Sequence, residues 1–386
     1  MVRQAGIEYR RAEGGDVQPL MWLYQLACAD DPLAVPLLLD RKALVQALNS
    51  REMLWIVAER AGSLLASLSI LVDGENRIAK LDRVLIHPEW AESLDVLTEA
   101  LPLLIGYLGE KSVEILYTTT KGLTHTQQEV TLEKGFKLLG IFPNAVGSDP
   151  TGLNGLSAYF YPGVLGDRRQ AAFPLHPDLK GIFEITRSQC LLPPLPILGT
   201  EAEKGAAPIA EKWKSSQSPQ LELILAPRLV AHRFARLKER RSLSTSFYPF
   251  QSPNVLITDP AQRVEIFVRL APDAHFAAII GERLDLAVNP AALYTDVSGL
   301  LKARGVSYIE IINDATDAQG IQSILNAGYL PCAYFPSFHN SGDVRRDYVV
   351  FARFFERLPP MGSLGGKRNP VYGDYLNELY RSDLRD

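Results

Sequence analysis

Hydrophobic residues in the first part of the chain follow two different spacings. Alternation of apolar and polar positions predicts strands at 7–11, 53–59, 63–72, 78–86, 113–118 and 137–142. Helical spacing predicts helices at 17–27, 95–108 and 126–134. Because helices and strands are interspersed, we predict a mixed central β-sheet flanked by helices, an α/β fold.

A second patterned stretch begins near Leu221 and ends near Glu356. It predicts a basic helix at 228–241 and strands at 264–271, 275–280, 284–288 and 348–355. Between the two stretches the periodicity is poor, prolines cluster at 193–196, and residues 200–217 are polar, as in a linker. We therefore expect a first domain at 1–165, a connector at 166–220, a second domain at 221–357 and a tail at 358–386.

The two stretches share an order of residues. The first contains, in order, Leu104, Gly109, an apolar strand at 113–116, Gly135-Phe136 and Phe142-Pro143. The second contains Leu300, Gly305, an apolar strand at 309–312, Gly328-Tyr329 and Phe335-Pro336. A tandem repeat of one unit is the simplest explanation. A chance match between two common helix and strand patterns is the alternative, because the identities are few.

Composition narrows the class of protein. Of 386 residues, 47% are hydrophobic and 22% charged, which is enough for two domains that each bury a core. A net charge of -4 and a pI of about 6.0 argue against a nucleic-acid partner. Cys28, Cys190 and Cys332 lie far apart without a CxxC pair, so we expect neither disulfides nor a metal site. The apolar runs are too short to span a membrane, and we expect a cytoplasmic protein.

Three features in sequence order carry a resemblance to a known family. They are a strand ending in Val84-Leu85-Ile86-His87-Pro88-Glu89-Trp90, a following helix and strand, and a helix closing with Glu133-Lys134-Gly135-Phe136. This order resembles the Gcn5-related N-acetyltransferase superfamily, called GNAT, in its tandem form. The resemblance implies two GNAT-like domains, acetyl-CoA or another acyl-CoA as cofactor, and a sheet that parts after the first of these strands. We expect the parting just ahead of His87, where Pro88 cannot continue a central ladder.

The resemblance also implies where the cofactor binds. The amides of Leu85 and Ile86 would polarise the thioester carbonyl. Amides at the start of the next helix would hold the pyrophosphate, because free N–H groups there attract anions; these belong to Glu92, Ser93, Leu94 and Asp95. The family has a glycine-rich turn at this place, whereas this chain has two carboxylates and no glycine, so ordinary helix capping is the alternative for these residues.

Candidate catalytic side chains are few. The family often places a tyrosine ahead of the glycine of the closing helix, but here that position holds Thr131 and, in the second stretch, Ile324. Tyr117 could protonate the leaving thiolate instead, with packing at the sheet edge as the alternative. Asp82 lies where a general base could act, with an ion pair to Arg83 or Lys80 as the alternative. The shorter turn after Asn289-Pro290 makes the first domain the expected active half.

These observations lead to one function hypothesis and two rivals. We expect an acyl-CoA-dependent N-acyltransferase that moves an acetyl group to a small-molecule amine, with a homodimer left open. The first rival is a non-catalytic binding or scaffold protein that recognises a metabolite or partner. The second rival is an aminoacyl-tRNA-dependent transferase, for which the basic helix at 228–241 would be the contact.

Overall fold

A computed structural model describes residues 2–4, 6–27, 40–90, 96–119, 125–143, 153–170, 172–199, 219–285, 288–358 and 370–383. Contacts divide the chain into two compact units. The first unit is Met1–Leu138 with Gly155–Val164, and the second is Leu139–Asn154 with Leu165–Asp386.

Strands and helices are numbered here in chain order. The strands are β1 (Val2–Gln4), β2 (Ile7–Arg11), β3 (Met53–Arg60), β4 (Ser63–Asp73), β5 (Ile78–Ile86), β6 (Ile115–Thr119), β7 (Lys137–Pro143), β8 (Leu153–Phe160), β9 (Glu222–Ile224), β10 (Val255–Thr258), β11 (Val264–Ala271), β12 (Phe276–Leu284), β13 (Tyr308–Asp314), β14 (Leu330–Ser341) and β15 (Val344–Phe354). The helices are α1 (Val17–Ala27), α2 (Arg41–Leu48), α3 (Val96–Glu110), α4 (His125–Glu133), α5 (Lys180–Cys190), α6 (Pro227–Glu239), α7 (Pro290–Lys302), α8 (Ala318–Asn326) and α9 (Val371–Asp383).

The first unit is a mixed sheet in the order β1-β2-β3-β4-β5-β6-β8. Neighbouring strands are antiparallel except for β5 and β6, which are parallel. A parallel pair needs a crossover connection, and α3 supplies it. The sheet therefore has one place where two adjacent strands run the same way.

The second unit has strands in the order β7-β14-β15-β13-β12-β11-β10-β9. Here β12 and β13 form the parallel pair, with α7 as the crossover, and the other neighbours are antiparallel. The last strand of the chain, β15, lies between β14 and β13. The first unit has the same feature, since β8 rather than β7 lies beside β6. The predicted mixed α/β architecture is confirmed.

Side chains begin several helices at defined residues. Asp40 accepts hydrogen bonds from the N–H groups of Lys42 and Ala43 at 2.8 and 3.1 Å, which starts α2. Asn289 does the same for α7 by accepting from Ala291 and Ala292, with Pro290 at the first helical position. Such caps satisfy backbone donors that have no partner inside the helix.

The sheet of the first unit buries apolar side chains on both faces. One face packs against α1 and α2, with Leu20, Leu23 and Leu44 over Trp55 and Val57. The other packs against α3 and α4, in a cluster that contains Leu81, Leu97, Leu101, Leu104 and Phe136. Different helices therefore cover the two faces of the sheet. The face that packs against α1 and α2 also contains polar strand residues.

Sequence patterns placed β2, α1, β5 and β11 at their observed bounds. The strand predicted at 275–280 is the first part of β12, which runs from Phe276 to Leu284, whereas the separate strand predicted at 284–288 is wrong, because β12 ends at Leu284. Its Gly281-Glu282-Arg283 sequence is typical of a turn, but these residues pair with β11 as a strand. Elements that were not predicted include strand β8 and helices α2, α5 and α9.

Candidate functional site

Strand β5 leaves β6 partway along its length. Their parallel pairing runs from Ile78↔Ile115 to Leu81↔Thr118, whereas β5 itself continues to Ile86. At the last pair the buried Thr118 hydroxyl donates a hydrogen bond to the Leu81 carbonyl at 3.0 Å. The strands therefore part after Leu81, well ahead of His87, and the carbonyl at the parting point has a side-chain donor.

A β-bulge changes the direction of β5 at the same place. The register with β4 shifts between Ser69↔Arg83 and Ile70↔Leu81, which leaves Asp82 as the extra residue. Beyond the bulge, the N–H of His87 donates to the Leu65 carbonyl at 2.8 Å. Bulges re-aim the residues that follow them, so β5 can keep pairing with β4 while it leaves β6.

The two expected amide donors point in opposite directions. Alternate residues of an antiparallel strand direct their N–H groups to the same side, so the N–H of Leu85, like that of His87, faces β4. The N–H of Ile86 faces the side that β6 has left. Ile86 is half-buried, as a donor at the floor of an opening would be. Leu85 contributes its side chain to the core under α1 and α2.

The second unit parts at the corresponding position but its opening is filled. Pairing of β12 with β13 ends at Ile279↔Ile311, and the register with β11 shifts so that Ile280 is the bulged residue. The N–H of Glu282 donates to the Thr245 carbonyl at 3.0 Å, and the N–H of Ser244 donates to the Glu282 carbonyl at 2.7 Å. The open edge of β12 is thus paired with a segment of the same unit.

Asp82 and Tyr117 lie on neighbouring strands beside the parting point. Lys80 Nζ lies 3.0 Å from Asp82 Oδ1, and the Asp82 side chain keeps 36% of its exposure. Tyr117 pairs with Lys80 across the parallel ladder and is 6% exposed. The structure therefore brings the two candidate catalytic residues to the same region of the sheet, with Asp82 partly exposed at the bulge of β5 and Tyr117 buried on β6.

Thr131 occupies the position where the family often has a tyrosine. Its hydroxyl donates to the Gln128 carbonyl at 2.7 Å, and the residue is fully buried. A threonine in this state is committed to the backbone of its own helix. It has no chemical role that the geometry supports.

Four expected cofactor-binding residues, Glu92, Ser93, Leu94 and Asp95, lie outside the described residues. The chain before them forms a short 3-10 turn at Pro88–Trp90, and α3 begins at Val96 after them. The His87 ring lies 5.5 Å from the ring of Trp22 on α1, and Trp22 is 53% exposed. Aromatic surface therefore borders the end of β5.

A buried carboxyl group lies next to the filled opening of the second unit. Tyr294 on α7 donates a hydrogen bond to Glu282 Oε2 at 2.8 Å. Burial raises the pKa of Glu282 to about 7, the bond from Tyr294 lowers it, and the nearby charge of Asp317 raises it. The same strand residue pairs through its backbone with Thr245. Glu282 belongs to the packing that closes this opening.

The most heavily bonded buried charge of the second unit is Asp347. Its carboxylate accepts from Arg169 Nη2 at 2.6 Å, from the Tyr334 hydroxyl at 2.6 Å and from the Ser337 N–H at 2.9 Å. Burial and this carboxylate raise the pKa of Tyr334 well above its usual value, so the phenol stays protonated. These bonds satisfy the carboxylate, and the cluster has the character of a structural ion pair.

The described part of the chain contains neither a metal-binding cluster nor a membrane-spanning helix. No group of three or more His, Cys, Asp or Glu residues there could hold a metal ion. No helix among these residues combines the length and apolar character that crossing a membrane requires. Cys190 and Cys332 are buried free thiols, and Cys28 lies outside the described residues.

Sequence reasoning missed Thr118, Thr245 and Glu282. Thr118 was part of a predicted strand, but its role depends on the pairing partner of that strand, which composition does not reveal. Thr245 and Glu282 meet through an isolated antiparallel bridge between distant segments. One indication of Glu282 was present in the sequence: a glutamate directly follows the apolar residues Ile279, Ile280 and Gly281, where a buried strand is expected.

Comparison with known proteins gave matches at the level of structure. No protein family model and no curated protein sequence matches the chain. A PaiA N-acetyltransferase from Thermoplasma acidophilum in complex with coenzyme A matches with 13% identity and a TM-score of 0.31, over 40% of this chain and 99% of that chain. A ribosomal-protein-alanine N-acetyltransferase from Brucella melitensis matches with 20% identity and a TM-score of 0.34, over 40% and 99%. The putative acetyltransferase yncA from Salmonella typhimurium, solved with its cofactor acetyl-CoA, matches with 15% identity and a TM-score of 0.35, over 40% and 94%.

The fold itself rests on the strand arrangement. A mixed sheet flanked by helices contains one parallel pair, β5 and β6, which parts at a bulge directly before the motif at 84–90. The expected parting just ahead of His87 is corrected to a point earlier on the same strand, after Leu81. The chain has a mixed α/β fold in which this parallel pair of strands parts at a bulge.

Proposed function

We propose that the protein is an acyl-CoA-dependent N-acetyltransferase and that its first unit is the active one. The observation that carries the proposal is the parted strand β5, whose Ile86 N–H faces the side left open by β6. A backbone donor held in a sheet is preorganised, so it stabilises charge that develops on a carbonyl oxygen without further rearrangement. The residues present therefore fit a thioester whose carbonyl oxygen lies near Ile86.

Acetyl-CoA, when bound, supplies the activated acetyl thioester. The N–H of Ile86 holds the carbonyl oxygen and stabilises the negative charge that forms as the amine attacks. Asp82, at the exposed edge of the bulge, takes the proton that the amine loses, directly or through water. Tyr117 donates a proton to the sulfur as the carbon–sulfur bond breaks. The pyrophosphate is assigned to the amides of residues 92–95, as the resemblance implies.

The second unit is proposed to be non-catalytic. Counted from the bulge, Glu282 corresponds to Val84, two residues before the counterpart of Ile86, and its backbone is hydrogen-bonded to Ser244 and Thr245. Phe234 and the Thr245 carbonyl also lie so close to Gly281 that a Cβ there would come within 2.8 and 2.7 Å of them. A thioester would have to displace this segment before it could reach the strand.

The two units are proposed to be a tandem repeat. Each has one parallel pair whose strands are joined by a crossover helix, and each has a bulge at the residue after the parting point, Asp82 in one and Ile280 in the other. We keep the domain division at 1–165 and 221–357 as part of this proposal, with the difference that contacts assign Leu139–Asn154 to the second unit. Within that division, only the first unit keeps its opening clear of the segments that the structure describes.

A proline substitution tests the role of the Ile86 amide. Ile86→Pro removes the N–H that faces the opening but leaves the bonds to β4 intact, because those come from its neighbours. We expect kcat/KM for acetyl transfer to fall by a factor on the order of 100 to 1,000, as for loss of one oxyanion donor. Activity is measured with acetyl-CoA and a panel of amines, by release of the thiol.

Ile86→Val is the matched control, because it shortens the side chain and keeps the N–H. We expect its activity and melting temperature to stay close to those of the wild type. Equal activity of Ile86→Pro and Ile86→Val would contradict the mechanism. Absence of turnover in the wild type, together with no shift of its melting temperature by acetyl-CoA, would contradict the transferase function and favour the binding-protein alternative.

A further inference from the structure

Two buried polar atoms of the first unit have no hydrogen-bond partner within the described residues. They are the indole nitrogen Nε1 of Trp55 and the hydroxyl oxygen Oγ of Ser67. The residues are 3% and 1% exposed, so bulk water does not reach them freely. Buried donors without partners are rare in folded proteins because desolvating them is costly. Two of them in one place call for an explanation.

The two atoms belong to adjacent strands and one face of the sheet. In the register of β3 and β4, Trp55 pairs with Ser69 and Val57 pairs with Ser67, so Trp55 and Ser67 are diagonal neighbours. Trp55 and Val57 are in the core cluster under α1 and α2, and Ser67 lies directly opposite Val57 on that face. Diagonal neighbours on a sheet face are close enough to contact one small group together.

Ser67 lies one strand, and Trp55 two strands, from β5, which carries the proposed reaction site. Ser67 pairs with Leu85 on β5, next to Ile86, and Ser69 pairs with Arg83, next to Asp82. Adjacent strands are roughly 4.8 Å apart, so Ser67 lies about one strand spacing and Trp55 about two strand spacings from β5, which carries the Ile86 amide. Solvent exposure increases from Ser67 to Ser69 and then to Asp82 at the bulge of β5.

The second unit has a polar residue at the same position but satisfies it. Counted from the bulge, Arg283 occupies the place of Leu85, and its partner Glu265 occupies the place of Ser67. Glu265 is 1% exposed and is bonded to Arg233 of α6 and to Arg283. One unit therefore fills this position with its own ion pairs, whereas the other has neutral polar atoms there without a hydrogen-bond partner among the described residues.

We propose that Trp55 Nε1 and Ser67 Oγ hold an oxygen of the acetyl acceptor, which makes the acceptor a small amine that carries a carbonyl or carboxylate oxygen. An indole nitrogen can only donate, and a serine hydroxyl can donate, so one oxygen with two lone pairs satisfies both. The guanidinium of Arg83, opposite Ser69, adds positive charge beside that oxygen. The proposal rests on the proposed function, because the amine must then point toward the thioester at Ile86.

The test compares two amines in three variants. Glycinamide carries a carbonyl oxygen and propylamine does not. Trp55→Phe removes the indole N–H and keeps a large ring, and Ser67→Ala removes the hydroxyl. Ser63→Ala, at an exposed position of β4, is the control. We expect the KM for glycinamide to rise about tenfold in Trp55→Phe and in Ser67→Ala, with kcat/KM for propylamine unchanged in all variants.

A stability measurement separates this role from a purely structural one. Removing a buried hydroxyl without a partner should leave the melting temperature of Ser67→Ala unchanged or raised. An unchanged glycinamide KM in both variants overturns the proposal. Equal losses for both amines together with a lower melting temperature also overturn it, because they indicate a packing defect.

A direct binding experiment keeps the two proposals distinguishable. If the wild type acetylates neither amine, the transferase function fails, and glycinamide is titrated into the protein by calorimetry without acetyl-CoA. Binding that is weakened in Trp55→Phe and Ser67→Ala, and not in Ser63→Ala, supports the site on its own. Absent or equal binding in all variants overturns the site as well.

Discussion

Gly140 on β7 allows a second strand to lie against it. Gly140 pairs with Ala333 of β14 inside the second unit. A methyl group on Gly140 would overlap the Cys332 carbonyl oxygen and the Ala333 Cα. Those atoms belong to the backbone of a buried strand, so they cannot rotate away as a flexible side chain would.

We predict that Gly140→Ala lowers the free energy of unfolding by about 1–3 kcal/mol, the usual cost of overpacking. Gly106→Ala is the control, because Gly106 lies in α3 with nothing within 4 Å of an added Cβ. That change should raise stability by about 0.5–1 kcal/mol, since alanine favours a helix over glycine. Urea denaturation measures both, and effects of the same sign would contradict the argument.

At the scale of one element, β12 combines a packing role with a titratable group. Glu282 is buried, its bond partner is the neutral phenol of Tyr294, and Asp317 adds negative charge nearby. In the unfolded chain its pKa is near the ordinary 4.5, whereas in the folded protein burial raises the pKa to about 7. The folded state therefore holds a proton on this carboxyl between these two pH values, where the unfolded state has lost it.

We predict a pH-dependent loss of stability from this carboxyl group. Below about pH 4.5 both states are protonated and Glu282 has no effect; as the pH rises to about 7 the free energy of unfolding should fall by about 3 kcal/mol and then level off. Denaturation at a series of pH values measures the slope. Glu282→Gln keeps an oxygen that can accept from Tyr294 and should remove this contribution, and an identical slope in both proteins would refute it.

Elements with a regular local pattern were predictable, and elements defined by distant contacts were not. Alternation fixed β2, β5 and β11, whereas β12 was divided in two because Gly281-Glu282-Arg283 is typical of a turn. Helix α5 does bury residues at helical spacing, including Ile182, Phe183 and Cys190, but neighbouring prolines obscured the pattern.

The candidate site was predictable to the same extent. The motif at 84–90 located the end of β5 and therefore Ile86. The direction of each amide, however, follows from the register with β4, and the point of parting follows from the pairing with β6. The hydroxyl bond of Thr118 and the unpaired atoms of Trp55 and Ser67 depend on the same long-range pairing. No local signal in the sequence carries that information.

At the scale of the whole chain, the two units differ in whether their own residues complete the parted sheet. In the second unit, Ser244 and Thr245 pair with the edge of β12, and arginines neutralise Glu265. In the first unit, Ile86 faces the open side and Ser67 lacks a partner within the described residues. The chain therefore has one opening that its own described segments complete and one that they do not.

This difference predicts one acyl-CoA site per chain. Calorimetric titration of acetyl-CoA should give a stoichiometry near one, because a second molecule would have to break the hydrogen bonds of Glu282 with Ser244 and Thr245. Hydrogen exchange should locate the acetyl-CoA site. Bound acetyl-CoA should slow exchange at the Ile86 amide, because its N–H gains an acceptor. Exchange at the Glu282 amide should stay unchanged, because that N–H is already hydrogen-bonded. Ile86→Pro has no amide hydrogen at this position, so its effect is measured by calorimetry: it should weaken acetyl-CoA binding without changing exchange in β12. A stoichiometry of two, or new protection confined to β12, would show that the second opening is accessible and would reverse the assignment of the active unit.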